Sequence, residues 1–270
     1  YPQELSVLGR LKEPCGLQEL AVSTGLEYAR LSKILSVFHS LNLLKEVEAA
    51  PSESTAVVKR DKFPFEHLIP EIGNSTLSSK LETFHNPTSF ISEQFKSLKV
   101  KLAEIAAQAP LRVIAISSPH TEDGKSLISA NLAVSLSKDP GRRVVVVNCD
   151  LRNPSIHKFL GTSMEPGLLG YLEGDYLQSY CYMRRLDKLY VMTAGGVSEN
   201  PIELLSNVRM QELIAELKTE FDTIILDCPP FGPISDAQIL TGLADGFIMV
   251  VRCGKTTYGT MEKAFKILDK

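Results

Sequence analysis

Tryptophan is absent from the 270 residues, and no apolar run approaches the roughly 20 residues that cross a bilayer. The amino terminus lacks the basic-then-apolar pattern of a secretory signal. The chain as given therefore reads as soluble and cytoplasmic. It opens on Tyr1 rather than Met, so the expectation is a piece of a longer protein. Cysteine is scarce: Cys15, Cys149, Cys181, Cys228 and Cys253 are odd in number, far apart and without a Cys-x-x-Cys pair. That spacing excludes a disulfide framework and a zinc cluster and suits a reducing cytosol. Charge of one sign is lacking too, since 29 Lys and Arg stand against 32 Asp and Glu. A net charge of −3 is neither a nucleic-acid footprint nor an acidic tail, so partners must be read from sites.

What is present is enough apolar material, 44% of residues, for one large core or two unequal ones. Three segments are expected: a small module over residues 1–60, a linker over 61–88 and a larger domain over 89–270. In the first, Leu5, Val7, Leu8 and Leu11, then Leu17, Leu20 and Ala21, then Leu31, Ile34, Leu35 and Phe38 form three short helical stripes. Thr24-Gly25 supplies the turn between the last two. Glu46–Ala50 and Thr55–Lys59 flank Pro51-Ser52-Glu53-Ser54 as a two-stranded wing. This arrangement resembles a winged helix-turn-helix. Seven basic residues are matched by seven acidic ones over residues 1–60, so protein interaction is the preferred reading. DNA contact through Tyr28, Arg30 and Lys33 is the second. Residues 61–88, with Pro64, Pro70, Gly73 and no sustained period, read as a connector.

From Ser89 a helix is expected to about Gln108. Five β-branched runs then alternate with helical patterns: Arg112–Ser117, Arg143–Cys149, Leu189–Thr193, Thr223–Asp227 and Gly246–Arg252. Val144-Val145-Val146-Val147 is apolar on both faces, as a strand covered on both sides must be. The alternation predicts an α/β fold with a doubly wound parallel sheet.

The first of these strands runs into Ser118-Pro119-His120-Thr121-Glu122-Asp123-Gly124-Lys125-Ser126, and Leu127 continues into a helix. Strand, loop and Gly-Lys-Ser opening a helix is the context of a P-loop. Backbone amides cradle phosphate oxygens, Lys125 reaches the β- and γ-phosphates, and the Ser126 hydroxyl ligates magnesium. A bare Gly-Lys-Ser is more often an ordinary loop. Pro119 also occupies the first glycine position of the general pattern, and Glu122 and Asp123 set negative charge beside an anion site. Asp150 and Asp227 shift the balance, because both are placed at the carboxyl ends of strands, at the sheet edge where the loop emerges.

These motifs resemble the bacterial tyrosine kinase family of capsule and exopolysaccharide assembly, within the partition-type P-loop ATPases, from about Ser89 to Lys270. Ser118–Ser126 with Asn131-Leu132-Ala133 matches the family loop. Asn148-Cys149-Asp150-Leu151-Arg152-Asn153-Pro154 matches its second acidic motif, and Leu226-Asp227-Cys228-Pro229-Pro230 with Ser235-Asp236-Ala237 matches its third. Gly167–Leu172, Asn200–Leu205 and Val251–Thr257 agree as smaller signatures. The resemblance implies ATP and Mg2+ as cofactors and places Lys125, Asp150 and Asp227 in catalytic roles. It puts the nucleotide against Thr121, Glu122, Asp123, Gly124, Lys125, Ser126, Leu127 and Arg152, and the metal at Ser126, Asp150 and Asp227. It also implies a protein-tyrosine autokinase linked to polysaccharide synthesis and export. A membrane co-polymerase-type activator would hold it at the inner membrane face, and homo-oligomers would form through the helix bearing Glu93, Lys96 and Lys99. Three features depart from the pattern: Asn148 replaces the family's first aspartate, Glu122 its loop glycine and Thr121 its loop proline. The last tyrosine, Tyr258, falls inside the expected fold rather than in a tyrosine-rich tail. The alternative is therefore a non-kinase partition-type ATPase switch controlling dimerisation and DNA or protein binding.

Overall fold

The structure, a computed structural model, describes residues 5–8, 66–174, 179–231 and 236–268. Seven strands form one sheet: β1 (Leu5–Leu8), β2 (Val113–Ser117), β3 (Val144–Asn148), β4 (Met183–Leu186), β5 (Leu189–Met192), β6 (Thr223–Asp227) and β7 (Gly246–Arg252). Their order across the sheet is β1-β7-β2-β6-β3-β5-β4. The five central strands run parallel, and β1 and β4 close the two edges antiparallel. The α/β doubly wound expectation stands.

Strand periodicity divides the core in two. Ile114, Ile116, Val144, Val146 and Ile225 point to one face, whereas Val113, Ala115, Val145, Val147, Ile224 and Leu226 point to the other. Both sets are buried because helices lie on both faces, which is why these strands read as continuous apolar runs. On the first face lie α1 (Glu82–His85), α2 (Phe90–Ala106), α3 (Lys125–Ser137) and α4 (Ile156–Phe159). On the second lie α5 (Leu168–Glu173), α6 (Pro201–Ser206), α7 (Val208–Glu220) and α8 (Asp236–Gly242). The last helix, α9 (Tyr258–Leu268), packs Ala264 with Phe231, Ala237, Met249 and Val251 in a third, smaller cluster.

Ser89 caps α2 by accepting from the Ser92 amide, as its place before the apolar stripe predicts. Two expectations are corrected. Leu5–Leu8, placed in a first helix, is a strand paired with Val251 and its neighbours on β7. Four residues cannot hold a helix alone, and an open sheet edge offers every backbone group a partner. The remainder of the winged-helix reading falls outside the described residues. From Glu66 onward, moreover, the stretch read as a linker packs on the domain. Ile69, Ile72, Leu77 and Leu81 are buried, and Thr83 is tied to Asn131 of α3 by its amide (3.1 Å) and its hydroxyl (3.0 Å to the carbonyl). Isolated anchors on irregular backbone leave no period for sequence reading to find.

Among the described residues, no helix is long and apolar enough to cross a membrane.

Candidate phosphate site at the carboxyl ends of β2, β3 and β6

Because β6 lies between β2 and β3, the carboxyl ends of these three strands are neighbours. The phosphate loop leaves β2, Asp150 follows β3, and Asp227 ends β6. Asn148 and Asp227 pair directly across the β3–β6 ladder, and the Cys149 amide donates to the Asp227 carbonyl at 2.9 Å. Cys149 and Cys228 are fully buried, and burial raises both thiols well above their ordinary range, so they serve as core packing rather than as nucleophiles.

Lys125 opens α3 with its side chain folded inward, only 8% exposed, and its Nζ lies 2.7 Å from Asp150 Oδ2. Burial alone would lower the pKa of this ammonium. The carboxylates of Asp227 and Asp150 outweigh burial and raise it, so Lys125 is a fixed cation. Asp150 is held by its own loop: its Oδ1 accepts from the amides of Arg152 (3.3 Å) and Asn153 (2.9 Å), and its amide donates to Asn148 Oδ1 at 3.1 Å. Asp227 is fully enclosed. Burial, helped by the nearby Asp150 charge, raises its pKa to about 6 against the pull of Lys125. Its Oδ1 accepts from Ser129 Oγ at 3.2 Å, while its Oδ2 has no protein partner.

The loop between β2 and α3 is braced internally. Ser118 Oγ donates to the His120 carbonyl at 2.7 Å, and the His120 amide donates to Asp123 Oδ2 at 3.1 Å. Glu122 sits at φ 63° and Gly124 at φ 99°. Glycine adopts that region freely, but for Glu122 it costs on the order of 1–2 kcal/mol. Asp123 does not face the loop mouth. It is fully buried, burial raises its pKa, and Thr256 Oγ1 donates to its Oδ2 at 3.3 Å. Two cations, one at the end of β7 and one in the turn that follows it, close on the same turn: Arg252 Nη1 donates to the Glu122 carbonyl (3.3 Å), and Lys255 Nζ donates to the Thr121 carbonyl (3.2 Å).

The residues singled out from sequence are thus distributed unevenly. Lys125, Ser126, Asp150 and Asp227 converge. Thr121, Glu122, Asp123 and Gly124 form the loop over them, whereas Leu127 is half-buried and packs into the apolar core. Arg152 grips buried Asp236 at the start of α8 through Nε (2.6 Å) and Nη2 (3.3 Å), which ties the second acidic motif to the Ser-Asp-Ala that follows the third. On α2, Lys96 pairs with Glu93 at 2.6 Å in solvent. Lys99 instead turns inward to Asp139 and the Ser135 carbonyl, so it is absent from the face expected to meet a second subunit. Sequence reading missed Ser129, one turn after Lys125 on the same side of α3, and the bracing role of Arg252, Lys255 and Thr256.

The AAA domain family matches residues 111–269, more than half of the chain. Tyrosine-protein kinase YwqD of Bacillus subtilis is 33% identical over 183 residues, covering 67% of this chain and 77% of that protein. The chain belongs to the bacterial tyrosine-kinase family. Another relative of this kinase-family chain, the succinoglycan biosynthesis transport protein ExoP of Rhizobium meliloti, is 32% identical over 176 residues, which are 63% of this chain and 22% of ExoP. Among solved structures, the chimerical protein CapA2B2 superposes on the kinase-family domain with a TM-score of 0.67 at 25% identity, covering 74% of this chain and 88% of that one. A P-loop domain of this family is a nucleotide-binding domain.

Proposed function

We propose that this chain binds ATP with magnesium and transfers the terminal phosphoryl group to tyrosine hydroxyls, as part of the machinery that makes and exports a capsular or extracellular polysaccharide. The observation that carries this reading is Lys125, buried between Asp150 and Asp227 at the amino end of α3, beside two buried oxygens, Ser126 Oγ and Asp227 Oδ2, whose hydrogen-bonding capacity the protein leaves unfilled. A buried donor or acceptor left unpaired costs about 1–3 kcal/mol, so such atoms fit a site that a ligand completes.

Magnesium takes one or two carboxylates and keeps positions for water and phosphate. Ser126, Asp150 and Asp227 are a donor set of that kind, and the bound ion would neutralise charge on the phosphates. The protein's own contributions follow from its geometry. The positive end of α3 and the loop amides receive the phosphates. Lys125 is held by Asp150 in the free protein and turns to phosphate oxygens when they arrive. Asp227 would help to hold the ion, or would take the proton that leaves the attacking hydroxyl. Catalysis of this kind is positioning and charge stabilisation, with little covalent chemistry from the protein. Glu93 and Lys96 on α2 offer a polar face for self-association. A membrane activator of the polysaccharide co-polymerase type is the partner that the ExoP name suggests, and it would hold the protein at the inner membrane face.

Asn148 favours a second reading. It stands opposite Asp227 where the family carries an aspartate, and its Nδ2 has no partner. One negative charge fewer at the centre suits a nucleotide-driven switch without phosphotransfer. The full-length protein, incubated with Mg-ATP and analysed by mass spectrometry beside Lys125→Ala and Asp227→Asn, separates the two. Phosphotyrosine in the parent alone supports the kinase. ATP binding with no phosphotyrosine, even with the activator present, would sink the kinase reading in favour of the switch.

A further inference from the structure

Asp123, an acidic residue out of place beside an anion site, has its explanation at the end of β7 and in the turn that follows it. Three consecutive loop residues are each gripped by a different residue there. Lys255 Nζ holds the Thr121 carbonyl, Arg252 Nη1 holds the Glu122 carbonyl, and Thr256 Oγ1 holds the Asp123 carboxylate, from which Lys255 Nζ also lies 3.9 Å. The gripping segment is itself a closed turn. The amides of Lys255 (3.1 Å) and Thr256 (2.9 Å) donate to the Arg252 carbonyl, and the Arg252 amide donates back to Thr256 Oγ1 at 3.2 Å.

We propose that Arg252, Lys255 and Thr256 are positioning residues for nucleotide binding, which hold the phosphate loop in its receiving shape and offset the left-handed backbone of Glu122. Carbonyl oxygens and carboxylates repel phosphate, whereas amides attract it. Turning the carbonyls of Thr121 and Glu122 toward two cations, and burying the Asp123 carboxylate under Thr256, engages three groups that would otherwise repel phosphate at the loop. Glycine at position 122 would hold the same turn without strain, and this chain has Glu, so the bracket does work that the backbone would otherwise do. The proposal rests on the nucleotide-binding reading of the site.

The test is calorimetric titration of the full-length protein with Mg-ATP, with thermal unfolding of each variant recorded alongside. Arg252 and Lys255 are partly exposed, so their truncation leaves the fold intact. Arg252→Ala with Lys255→Ala is expected to weaken ATP about tenfold, and Arg252→Lys, which keeps a donor, to retain most of the affinity. In a Glu122→Gly background the loss from Arg252→Ala should shrink to less than about twofold, because the strain it offsets is gone. An equal loss in both backgrounds would mean that Arg252 meets the nucleotide directly, and would overturn the positioning role. Unchanged affinity in the Arg252 and Lys255 variants, with binding lost in Lys125→Ala, overturns the proposal and leaves the nucleotide site standing. A parent protein that binds no ATP overturns both.

Discussion

Two helices of nearly equal standing in the sequence are treated in opposite ways by the fold. Helix α7 buries Met210, Leu213, Ile214 and Leu217, a single stripe at helical spacing, and gives the rest of its surface to water. Helix α3 buries every residue but Leu127, and its serines and alanines let it lie close against its neighbours. A one-sided helix announces itself by its stripe. A helix that carries chemistry at its first turn and is sealed on all sides shows no stripe and needs a cover. Here the cover is the irregular strap of residues 66–88, latched by Thr83 to Asn131 and by Lys138 to the Thr83 carbonyl. The phosphate site thus stands at the first turn of a helix that is buried at every residue but Leu127.

This contrast can be broken most strongly at Leu132, which is fully buried in α3. Leu132→Ala should cost about 2–5 kcal/mol in chemical denaturation, because a sealed helix cannot collapse onto the cavity. A loss below about 1 kcal/mol would show that α3 is not sealed. Asn131→Ala comes next. It strips the Thr83 amide of its acceptor and the Lys80 carbonyl of its donor, and leaves the Thr83 hydroxyl only the residue 131 backbone carbonyl, at about 1–3 kcal/mol. Proteolysis within residues 66–88 should quicken in that variant, and equal cutting rates would show that the latch is idle.

A smaller effect of opposite sign is expected at Asp227. Its folded pKa of about 6 exceeds the ordinary 3.8, so the folded state keeps a proton that the unfolded chain has released. The associated stability is complete below pH 4 and is lost as pH rises through 6. Asp227→Asn should therefore raise the melting temperature of nucleotide-free protein by a few degrees at pH 7.5 and leave it unchanged near pH 4, while abolishing turnover. A lower melting temperature at pH 7.5 would mean that the ion attraction of Lys125 outweighs burial. The smallest effect sets the baseline: Gln211→Ala on the wet face of α7 should stay within about 0.5 kcal/mol of the parent.

Where the sequence carries a strong period, it can be read to within a residue or two. The runs around Val113, Val144 and Ile224 became the central strands, and the placing of Asp150 and Asp227 at carboxyl ends of strands put both at the loop. The hairpin partner β4 was not legible, because Arg184 and Arg185 in its middle read as polar and its turn is made by Asp187 at φ 51° rather than by glycine. The strap was missed because its anchors follow no period. The bracing residues were visible as a motif, Val251–Thr257, but nothing in a sequence tells which backbone carbonyls a lysine and an arginine will reach. Lys99 shows the converse. The family resemblance set it with Glu93 and Lys96 on a helix that meets a second subunit, and the positions of Asp139 and the Ser135 carbonyl turn it inward.

The strap also bears on how the protein can be handled. At Gly161 a single added carbon would lie 2.0 Å from the Thr76 carbonyl oxygen, so strap and domain meet there as closely as backbones can. A fragment started at Ser89, where the sequence alone draws its boundary, would keep the whole phosphate loop and lose Ile72, Leu77 and Leu81 from the cluster over α3. Such a fragment would present a greasy, unlatched flank to solvent and should clump on purification. One that begins before Glu66 keeps its lid and should stay monodisperse.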